Sequence, residues 1–508
     1  MIRLMKLLRH RAFLVGFSIL VQLTVILTMV LRFNEYYQQF NQVCFVLSLF
    51  IVIYIVGNRS NPSYKIAWII PIMLFPIFGW LLYVMFGGNR LSKRTRRKMQ
   101  NMNEVMIEEL QSSCKADSFA ELAGEGAKVM ASYIERNAFC PVYSNTETEY
   151  FPLGENQFES ILCELEKAEH YIFLEFFIIE PGKMWNSILG ILEEKAAAGV
   201  EVRVLYDDMG SMFTLPRGYA KTLKKKGIKC CVFNPFLPVL SVRMNNRDHR
   251  KIMVIDGKVA YTGGTNLADE YINEKERFGH WKDTAILLRG EAVWSLTVMF
   301  LNMWNFAAGT REDFEVFRPE LESNAGKGYV QPYGDSPLDD EPVGETVYLN
   351  LINKAKQYVY LTTPYLIIDH TTVNALASAA KAGVDVRIIT PHIPDKKVIF
   401  EVTRAHYLPL LEAGVKIYEY TPGFIHAKIF AVDDRFGTVG TVNMDYRSMF
   451  LHFENGVMLY DTPSVLDIKK DFLATQAVSQ LVSLEECKAI PLGKRVLRAL
   501  LRVFAPLM

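Results

Sequence analysis

The chain has 508 residues, half of them hydrophobic, with 56 basic and 55 acidic side chains and a formal net charge of +1 at pH 7. That length allows two or three domains with substantial cores and excludes a small disulfide-stapled protein. The balanced charge gives no reason to expect a nucleic-acid partner. The seven cysteines are scattered without metal-ligand spacing, and we interpret them as reduced packing residues in a cytosolic or membrane context.

The N-terminal region, residues 1–98, differs from the rest in hydropathy. A membrane-spanning helix needs about 20 mostly apolar residues. Three charge-free apolar runs lie at about residues 13–31, 40–58 and 66–88. The first reaches the required length, the second is firmly apolar only from Val43 to Val56, and the third is interrupted by Pro71 and Pro76. The pattern predicts a transmembrane helical region with two spans and leaves a third open. The first run is too long for a signal peptide and is interpreted as an uncleaved anchor.

Cations flank this region at both ends, and positive flanks favour the cytoplasm. They are Arg3, Lys6, Arg9 and Arg11 before the first run, and "RLSKRTRRK" at residues 90–98 after the third. Three spans would place these flanks on opposite sides, so either one segment is re-entrant or interfacial, or one flank violates the rule. The larger cluster predicts a multi-pass protein of the cell membrane with its C-terminal body on the cytoplasmic face. The same cluster has the charge to attract anionic lipid headgroups.

Beyond residue 120, alternating helix and strand signals predict a layered α/β fold, and the unit recurs. Order is preserved in both copies, which predicts two similar halves, residues 120–322 and 346–508. A stretch rich in Gly, Pro and acids, residues 323–345, is interpreted as the linker between them. The matching segments are "YIFLEFFII" and "YVYLTTPYLII", "AAGVEVRVLYD" and "KAGVDVRIITP", and "KKGIKCCVFNP" and "EAGVKIYEYTP".

The first copy carries ten extra residues within "PFLPVLSVRMNN", because the spacing between copies falls from 187 at Gly227 and Gly414 to 177 at His249 and His426. This mostly apolar stretch would be a poor solvent loop. It is either a packed interdomain loop or a lip that dips toward lipid.

One motif occurs twice, as "HRKIMVIDGKVAYTGGTN" from residue 249 and as "HAKIFAVDDRFGTVGTVN" from residue 426. Alternate side chains of a strand share a face, so His249 and Lys251 point the same way, as do His426 and Lys428. Imidazole can act as a nucleophile or proton shuttle, and ammonium suits phosphate. With the copies facing each other, one His can attack phosphorus while the other protonates the leaving oxygen and then deprotonates an incoming alcohol.

The rest of the motif predicts a β-hairpin that turns at Asp256 or at Asp433. The return strand brings Asn266 or Asn443 back toward its own His and Lys, where the amide can donate to an anionic oxygen. A single such motif is weak evidence for a phosphoryl site, but two copies that also match at Gly263 and Gly440 are strong evidence. The scheme needs no metal or other cofactor, and the sequence presents no clear ligand cluster for one.

These motifs resemble the paired signatures of the phospholipase D superfamily. Wider segments resemble bacterial cardiolipin synthases over nearly the whole chain, among them "NPSYKIAWIIPIMLFPIFGWLLYVMFG", "VRVLYDDMGS", "LLEAGVKIYEYTPGFIHAKIFAVDD" and "NMDYRS". The resemblance implies an α/β fold with two phospholipase D-type halves around one shared active site. It also implies transfer of a phosphatidyl group from one phosphatidylglycerol to another through a phosphohistidine, with release of glycerol.

By analogy, His249 is the nucleophile and His426 the acid/base, although the sequence itself does not rank them. The resemblance implies that Asp256 and Asp433 hold the loop through ion pairs without touching phosphorus. A carboxylate further along orients each histidine.

For that orienting role the sequence offers Asp283 in "FGHWKDTAIL" and Glu454 in "LHFENGVML". The alternative is that both are ordinary surface carboxylates. Tyr365 matches a family-typical position and is expected near the pocket. The remaining histidines, His280, His370, His392, His406 and His452, are assigned core or surface roles.

The expected partners are phosphatidylglycerol and the bilayer, with no nucleic acid, because the body lacks a basic, aromatic-interleaved surface run. Rival functions are a hydrolytic phospholipase D or another phosphodiesterase of the superfamily, and a non-catalytic membrane scaffold, which two complete motifs disfavour. The C-terminal "GKRVLRALLRVF" predicts a basic amphipathic helix that lies either on a membrane surface or against the body.

Overall fold

The computed structural model describes residues 37–87, 93–111, 123–235, 245–321, 326–339 and 341–507, together with Leu20, Thr24, Leu27, Thr28 and Phe119. The first predicted membrane segment, residues 13–31, lies outside the described residues apart from four positions. The apolar insertion also falls largely outside them, at residues 236–244. Its two interpretations therefore stay predictions.

Four helices form the described N-terminal region: α1 (Tyr37–Gly57), α2 (Pro62–Leu74), α3 (Pro76–Phe86) and α4 (Lys93–Gln111). The predicted segment 66–88 is not one helix, because the chain leaves helical geometry at Phe75, with φ −131° and ψ 74°. A residue that precedes a proline is biased away from the helical region, and Pro76 then starts α3. No helix within the described ranges combines the length and the hydropathy that crossing a membrane requires.

α3 folds back onto α2 as a tight helical hairpin. A Cβ placed on Gly79 would lie 2.4 Å from the Cα of Ile72. In one straight helix these two residues would be about 10 Å apart along the axis. Many apolar side chains of this region are exposed, including Phe50, Ile53 and Phe75. The N-terminal helices therefore present an extended apolar surface.

The first half is built on a seven-stranded sheet with the order β1-β9-β7-β6-β2-β3-β4. Strands β2, β3 and β4 run parallel, and the others pair antiparallel. The elements are α5 (Glu125–Asn137), β1 (Thr146–Phe151), α6 (Gly154–Glu166), β2 (Tyr171–Phe176), α7 (Lys183–Ala197), β3 (Glu201–Asp207), α8 (Tyr219–Lys225), β4 (Lys229–Phe233), β5 (Arg247–Asp248), β6 (Lys251–Ile255), β7 (Val259–Gly263), β8 (His280–Lys282), β9 (Ala285–Gly290) and α9 (Val293–Ala308).

The second half repeats this order as β10-β17-β16-β15-β11-β12-β13, with β18 added beyond β13. The elements are β10 (Tyr329–Asp335), α10 (Val343–Lys354), β11 (Tyr358–Thr362), α11 (His370–Lys381), β12 (Asp385–Pro391), α12 (Lys397–Ala405), α13 (Tyr407–Glu412), β13 (Lys416–Tyr420), β14 (Gly423–Ile425), β15 (Ile429–Val432), β16 (Phe436–Gly440), α14 (Tyr446–Phe450), β17 (His452–Tyr460), α15 (Pro463–Ala477), β18 (Ser479–Leu481), α16 (Leu484–Lys488) and α17 (Leu492–Phe504). The hairpins predicted for the repeated motif are confirmed as β6–β7 and β15–β16.

The predicted linker, residues 323–345, is more regular than expected. Tyr329–Asp335 forms β10, which pairs antiparallel with β17, and α10 begins at Val343. The strand is hard to recognise in the sequence because Pro332 and Gly334 interrupt its alternating pattern. β10 stands at the end of the sheet order, where a missing N–H is tolerated.

The two halves share one interface, which positions the site. Short parallel bridges cross it, β5 with β17 and β8 with β14. The ammonium of Lys282 in the first half lies 2.8 Å from a carboxylate oxygen of Asp471 in the second. Helix α9 is buried from Val293 to Asn305 and belongs to a core cluster that draws on both sheets. The interface is therefore packed like a domain core.

Candidate active site

The two motif histidines lie where the halves meet. The main-chain N–H of His249 donates to the carbonyl of Phe453 at 2.9 Å, and that of His426 donates to the carbonyl of Lys282 at 2.7 Å. Both acceptors belong to the opposite half, on the bridging strands β17 and β8. The fold therefore brings the two motifs to one interface.

Each imidazole also contacts a carboxylate of the opposite half. Nδ1 of His249 lies 2.9 Å from both carboxylate oxygens of Glu454, and Nδ1 of His426 lies 2.6 Å from Oδ2 of Asp283. Both carboxylates are completely buried. Because a carboxylate accepts, we assign a proton to Nδ1 in each ring, which leaves Nε2 for chemistry, although Nζ of Lys428 also lies 2.8 Å from Nδ1 of His426. Each of these carboxylates contacts a histidine, as expected. Their positions in the sequence did not indicate that each would contact the histidine of the other half.

Burial sets the protonation of the rings. It lowers the pKa of His249 to about 3 and the pKa of His426 to about 4, although the carboxylates pull both values upward. Burial raises the pKa of Glu454, but the interactions with His249 and His452 outweigh it, and the pKa falls below the usual range. Both imidazoles are therefore neutral at pH 7, the form a nucleophile requires, whereas an acid must first gain a proton.

The two lysines of the motif are buried beside the histidines. Nζ of Lys251 donates to the main-chain carbonyl of His249 at 2.5 Å, and Nζ of Lys428 donates to that of His426. Burial lowers the pKa of Lys251 to about 7 and that of Lys428 to about 8. Lys428 also lowers the pKa of Lys251, because the two positive charges repel each other. An anionic ligand there would restore their charged form.

Asp256 and Asp433 stand at the far ends of their strands and hold the loop through main-chain donors, and among the described residues neither forms the ion pair that the resemblance implied. Asp256 accepts main-chain N–H groups of Glu169, His170 and Tyr171 at 2.7–2.8 Å. Asp433 accepts the N–H groups of residues 356–358 at 2.7–2.9 Å. Both have positive φ, which Asp tolerates in hairpin turns. Main-chain donors are enough to hold each carboxylate, because it lies against the loop that leads into β2 or β11.

The matched glycines allow the strands to approach closely. A Cβ on Gly263 would lie 2.3 Å from the carbonyl oxygen of Thr284, and one on Gly440 would lie 2.5 Å from that of Asn455. The next residue differs between halves. A Cβ on Gly264 would meet Asp283 Oδ1 at 1.9 Å.

At the corresponding position of the second half, the hydroxyl of Thr441 donates to Glu454. Each position after the glycine therefore accommodates an orienting carboxylate.

The two asparagines differ in their surroundings. The Asn266 amide is engaged within the first half, since Nδ2 donates to the Tyr271 hydroxyl at 2.7 Å and Oδ1 accepts from the Ile178 N–H at 3.0 Å. One N–H of the amide is therefore engaged by Tyr271, and donation of the second N–H to a bound anion stays a prediction. Asn443 is buried, and its Oδ1 has no hydrogen-bond partner within the described part of the chain. Its donation to a bound anion stays a prediction.

His452 is a site residue that the sequence analysis missed. Its ring centre lies 5.6 Å from that of His249, and its Nδ1 lies 3.7 Å from Glu454 Oε1. The signal was present, because residues two apart on a strand share a face. The ligand atoms of His249, His452 and Glu454 lie within 4.8 Å of one another, so this trio could hold a metal ion. Since Nδ1 of His249 already contacts Glu454, we interpret the trio as a hydrogen-bonded pair of His249 and Glu454 with His452 close by, beyond hydrogen-bond distance of Glu454.

Aromatic rings surround both imidazoles, and these too were missed. Phe177 meets His249 edge-on at 5.1 Å between ring centres. Tyr271, Trp281 and Phe424 lie 5.7, 5.4 and 5.9 Å from His426. Tyr365, expected near the pocket, is one ring further out, 6.5 Å from Phe424, and its hydroxyl donates to Asp395. Rings this close limit the access of water to the two imidazoles.

The sequence matches two family descriptions. "Cardiolipin synthase, PLD-like domain" matches residues 161–304 and 348–475, and "Phospholipase_D-nuclease N-terminal" matches residues 46–88. A cardiolipin synthase of Geobacillus kaustophilus is 36% identical, over 91% of this chain and 92% of that protein. A cardiolipin synthase of Alkalihalophilus pseudofirmus is 35% identical, over 92% of this chain and 93% of that protein.

Among solved structures, phosphatidylserine synthase of Haemophilus influenzae resembles the fold with a TM-score of 0.55. The likeness covers 74% of this chain and 97% of that one at 15% sequence identity. At this identity the likeness concerns the fold alone, namely the two α/β halves.

Proposed function

The chain belongs to the cardiolipin synthases of the phospholipase D superfamily, which are phospholipid phosphatidyltransferases, and we propose that it joins two phosphatidylglycerols through a phosphohistidine. The observation that supports the proposal is the crossed pairing of His249 with Glu454 and of His426 with Asp283, and the choice of His249 as the nucleophile follows the family resemblance. Two oriented imidazoles at one interface suit a displacement that needs both a nucleophile and an acid.

In the first step, Nε2 of His249 attacks the phosphorus of phosphatidylglycerol. The bond from phosphorus to the glycerol oxygen breaks, and His426 gives its Nε2 proton to that oxygen, so glycerol leaves neutral. Glu454 stabilises the positive charge that develops on His249. A neutral His249 favours this step, because only the unprotonated Nε2 has a lone pair.

In the second step, the terminal hydroxyl of another phosphatidylglycerol gives its proton to His426. Its oxygen attacks phosphorus, the phosphorus–nitrogen bond breaks, and His249 returns to its neutral form. Both residues thus end the cycle as they began. The aromatic rings around the imidazoles favour an alcohol over water as the acceptor.

Lys251 and Lys428 hold the phosphoryl oxygens and offset the charge of the five-coordinate transition state. Their low pKa values mean that the bound phosphodiester itself helps to keep them charged. The buried amide of Asn443 supplies a neutral donor. No resident metal takes part in this scheme.

The enzyme works at a membrane, and we place its body on the cytoplasmic face. The proposal includes two membrane spans, residues 13–31 and 40–58. No described helix has both the length and the hydropathy that a span requires. The α2–α3 hairpin returns the chain to the side from which it entered, which supports the re-entrant alternative. Both cationic flanks then lie in the cytoplasm.

The test is turnover of phosphatidylglycerol by the purified full-length protein in detergent, with a chelator present. We expect cardiolipin and glycerol in equal amounts, and loss of both products in the His249→Ala and His426→Ala variants. Phosphatidic acid as the main product would instead identify a hydrolase. Full activity in either variant, with unchanged folding by circular dichroism, would refute the two-histidine scheme.

A further inference from the structure

A second cationic cavity lies away from the motif histidines. It has a volume of about 390 Å³ and is enclosed by α2, the α12–α13 corner and α17. Four arginines line it, Arg404, Arg495, Arg498 and Arg502, together with Ser63 and Ile66 of α2. Volumes of this order accommodate small ligands. The cavity thus joins the apolar N-terminal hairpin to a cationic wall of the body.

The charge of the wall is only partly neutralised. Arg404 pairs with Glu419 at 2.7 Å, and Arg498, itself buried, pairs with Glu401 at 2.8 Å. Arg495 donates to the main-chain carbonyl of Lys488. Within the described ranges, no carboxylate lies in ion-pair distance of Arg495 or Arg502. The cavity therefore carries an excess of about two positive charges and favours an anion.

The surface next to the cavity is apolar. Helix α17 is amphipathic, as predicted. Among its basic residues, Arg498 is buried against the body, whereas Lys494, Arg495 and Arg502 are exposed, and most of its apolar side chains are exposed as well. Leu492, Val496 and Leu500 are 73%, 50% and 55% exposed, whereas Arg498 is 7% exposed. Ile66, which lines the cavity, is itself 52% exposed. A helix with this orientation suits contact with lipid chains rather than with water.

We propose that this cavity binds the phosphate of an anionic phospholipid from the surrounding bilayer, at a site separate from the active site. The arginines take the phosphate oxygens, and the acyl chains lie along the exposed apolar faces of α17 and α2. Guanidinium groups bind phosphate with paired, charge-assisted hydrogen bonds. Occupation of the site seats the body against the membrane beside the hairpin. The inference rests on the membrane location given under the proposed function, but not on its chemistry.

The test uses the full-length protein with His249→Ala, so that no lipid is turned over. Binding of dihexanoyl phosphatidic acid is measured by native mass spectrometry or thermophoresis. We expect the added pair Arg495→Gln and Arg502→Gln to weaken binding about tenfold or more, because it removes the unneutralised charges. Dihexanoyl phosphatidylcholine is expected not to bind, and Arg217→Gln, an exposed arginine in another region, serves as the matched control.

Three outcomes would overturn the proposal. Equal weakening by Arg217→Gln would mean that only overall charge matters. Inorganic phosphate that binds as tightly as the lipid would identify a site for soluble anions. Unchanged binding in the pair variant, with an unchanged melting temperature, would mean that the lipid binds elsewhere. Because binding is read out without catalysis, failure of the histidine chemistry would leave these results interpretable.

Discussion

At the scale of single residues, the proposed mechanism gives each orienting carboxylate a different step, because each contacts a different histidine. Glu454 contacts the proposed nucleophile, and Asp283 contacts the proposed acid. An amide in place of either carboxylate would no longer hold the imidazole in the right tautomer. In a serine protease, the corresponding change costs about 10⁴-fold in kcat. The two variants of this protein should therefore fail in different ways.

We predict that Glu454→Gln slows the burst of p-nitrophenol from a p-nitrophenyl phosphatidyl ester by about 100-fold or more, because it impairs the attack by His249. Asp283→Asn should leave that burst nearly intact, since nitrophenolate leaves without a proton. The same variant should slow glycerol release from phosphatidylglycerol strongly. The converse pattern would reverse the roles of the two histidines, and equal loss in both assays would argue against separate roles.

The low pKa of His426 has a consequence for substrate binding. Burial lowers it to about 4, so the ring is neutral at pH 7, yet its role as acid requires a proton. A bound phosphodiester anion favours the imidazolium and raises this pKa. Protonation should therefore accompany binding between pH 4 and the raised value. Below pH 4 the ring is already protonated, and the uptake disappears.

We predict an uptake of about one proton attributable to His426 when dihexanoyl phosphatidylglycerol binds the His249→Ala variant at pH 7. Calorimetry in buffers of different ionisation enthalpy measures it. Lys251, with a pKa of about 7, adds a smaller uptake, so the relevant quantity is the difference from the His249→Ala/His426→Ala double variant. No difference between these two proteins would mean that the proton comes from another group.

At the scale of secondary-structure elements, the sequence predicted the features that depend on neighbouring residues, but it did not predict the contacts between the two halves. Asp-Gly and Asp-Asp turns predicted the β6–β7 and β15–β16 hairpins, because positive φ at those positions is a local property. The bridges β5–β17 and β8–β14 are two or three residues long and join distant parts of the chain. Such short pairings leave no periodic pattern in the sequence.

The same limit explains what the sequence analysis missed in the site. His452 was readable in principle, as it stands two residues before Glu454 on one strand. The positions of Phe177, Trp281 and Phe424 depend on how the halves pack, so no local pattern marks them as neighbours of an imidazole. β10 was hidden by Pro332, which an edge strand tolerates and an interior strand does not.

At the scale of the whole molecule, the helical hairpin bears on how the chain sits in the membrane. Three crossings would separate the cations near the N-terminus from those at residues 90–98. A hairpin that enters and leaves on one side removes the conflict, because Gly79 lets α3 return along α2. In the proposed topology, with two crossings before the hairpin, both basic flanks would reach the cytoplasm. The exposed apolar sides of α2 and α17 would then face the same bilayer surface.

This arrangement predicts the sidedness of two thiols. Cys163 is exposed on the first half, so a membrane-impermeant maleimide should label it only after cells are permeabilised. A cysteine placed at Asn34, between the first two hydrophobic segments, should be labelled in intact cells, measured in a Cys163→Ser background. Labelling of Cys163 in intact cells, with Cys163→Ser as the control for other thiols, would place the body outside. Protection of both positions until permeabilisation would mean that the first two segments do not cross, because two crossings must expose the turn between them.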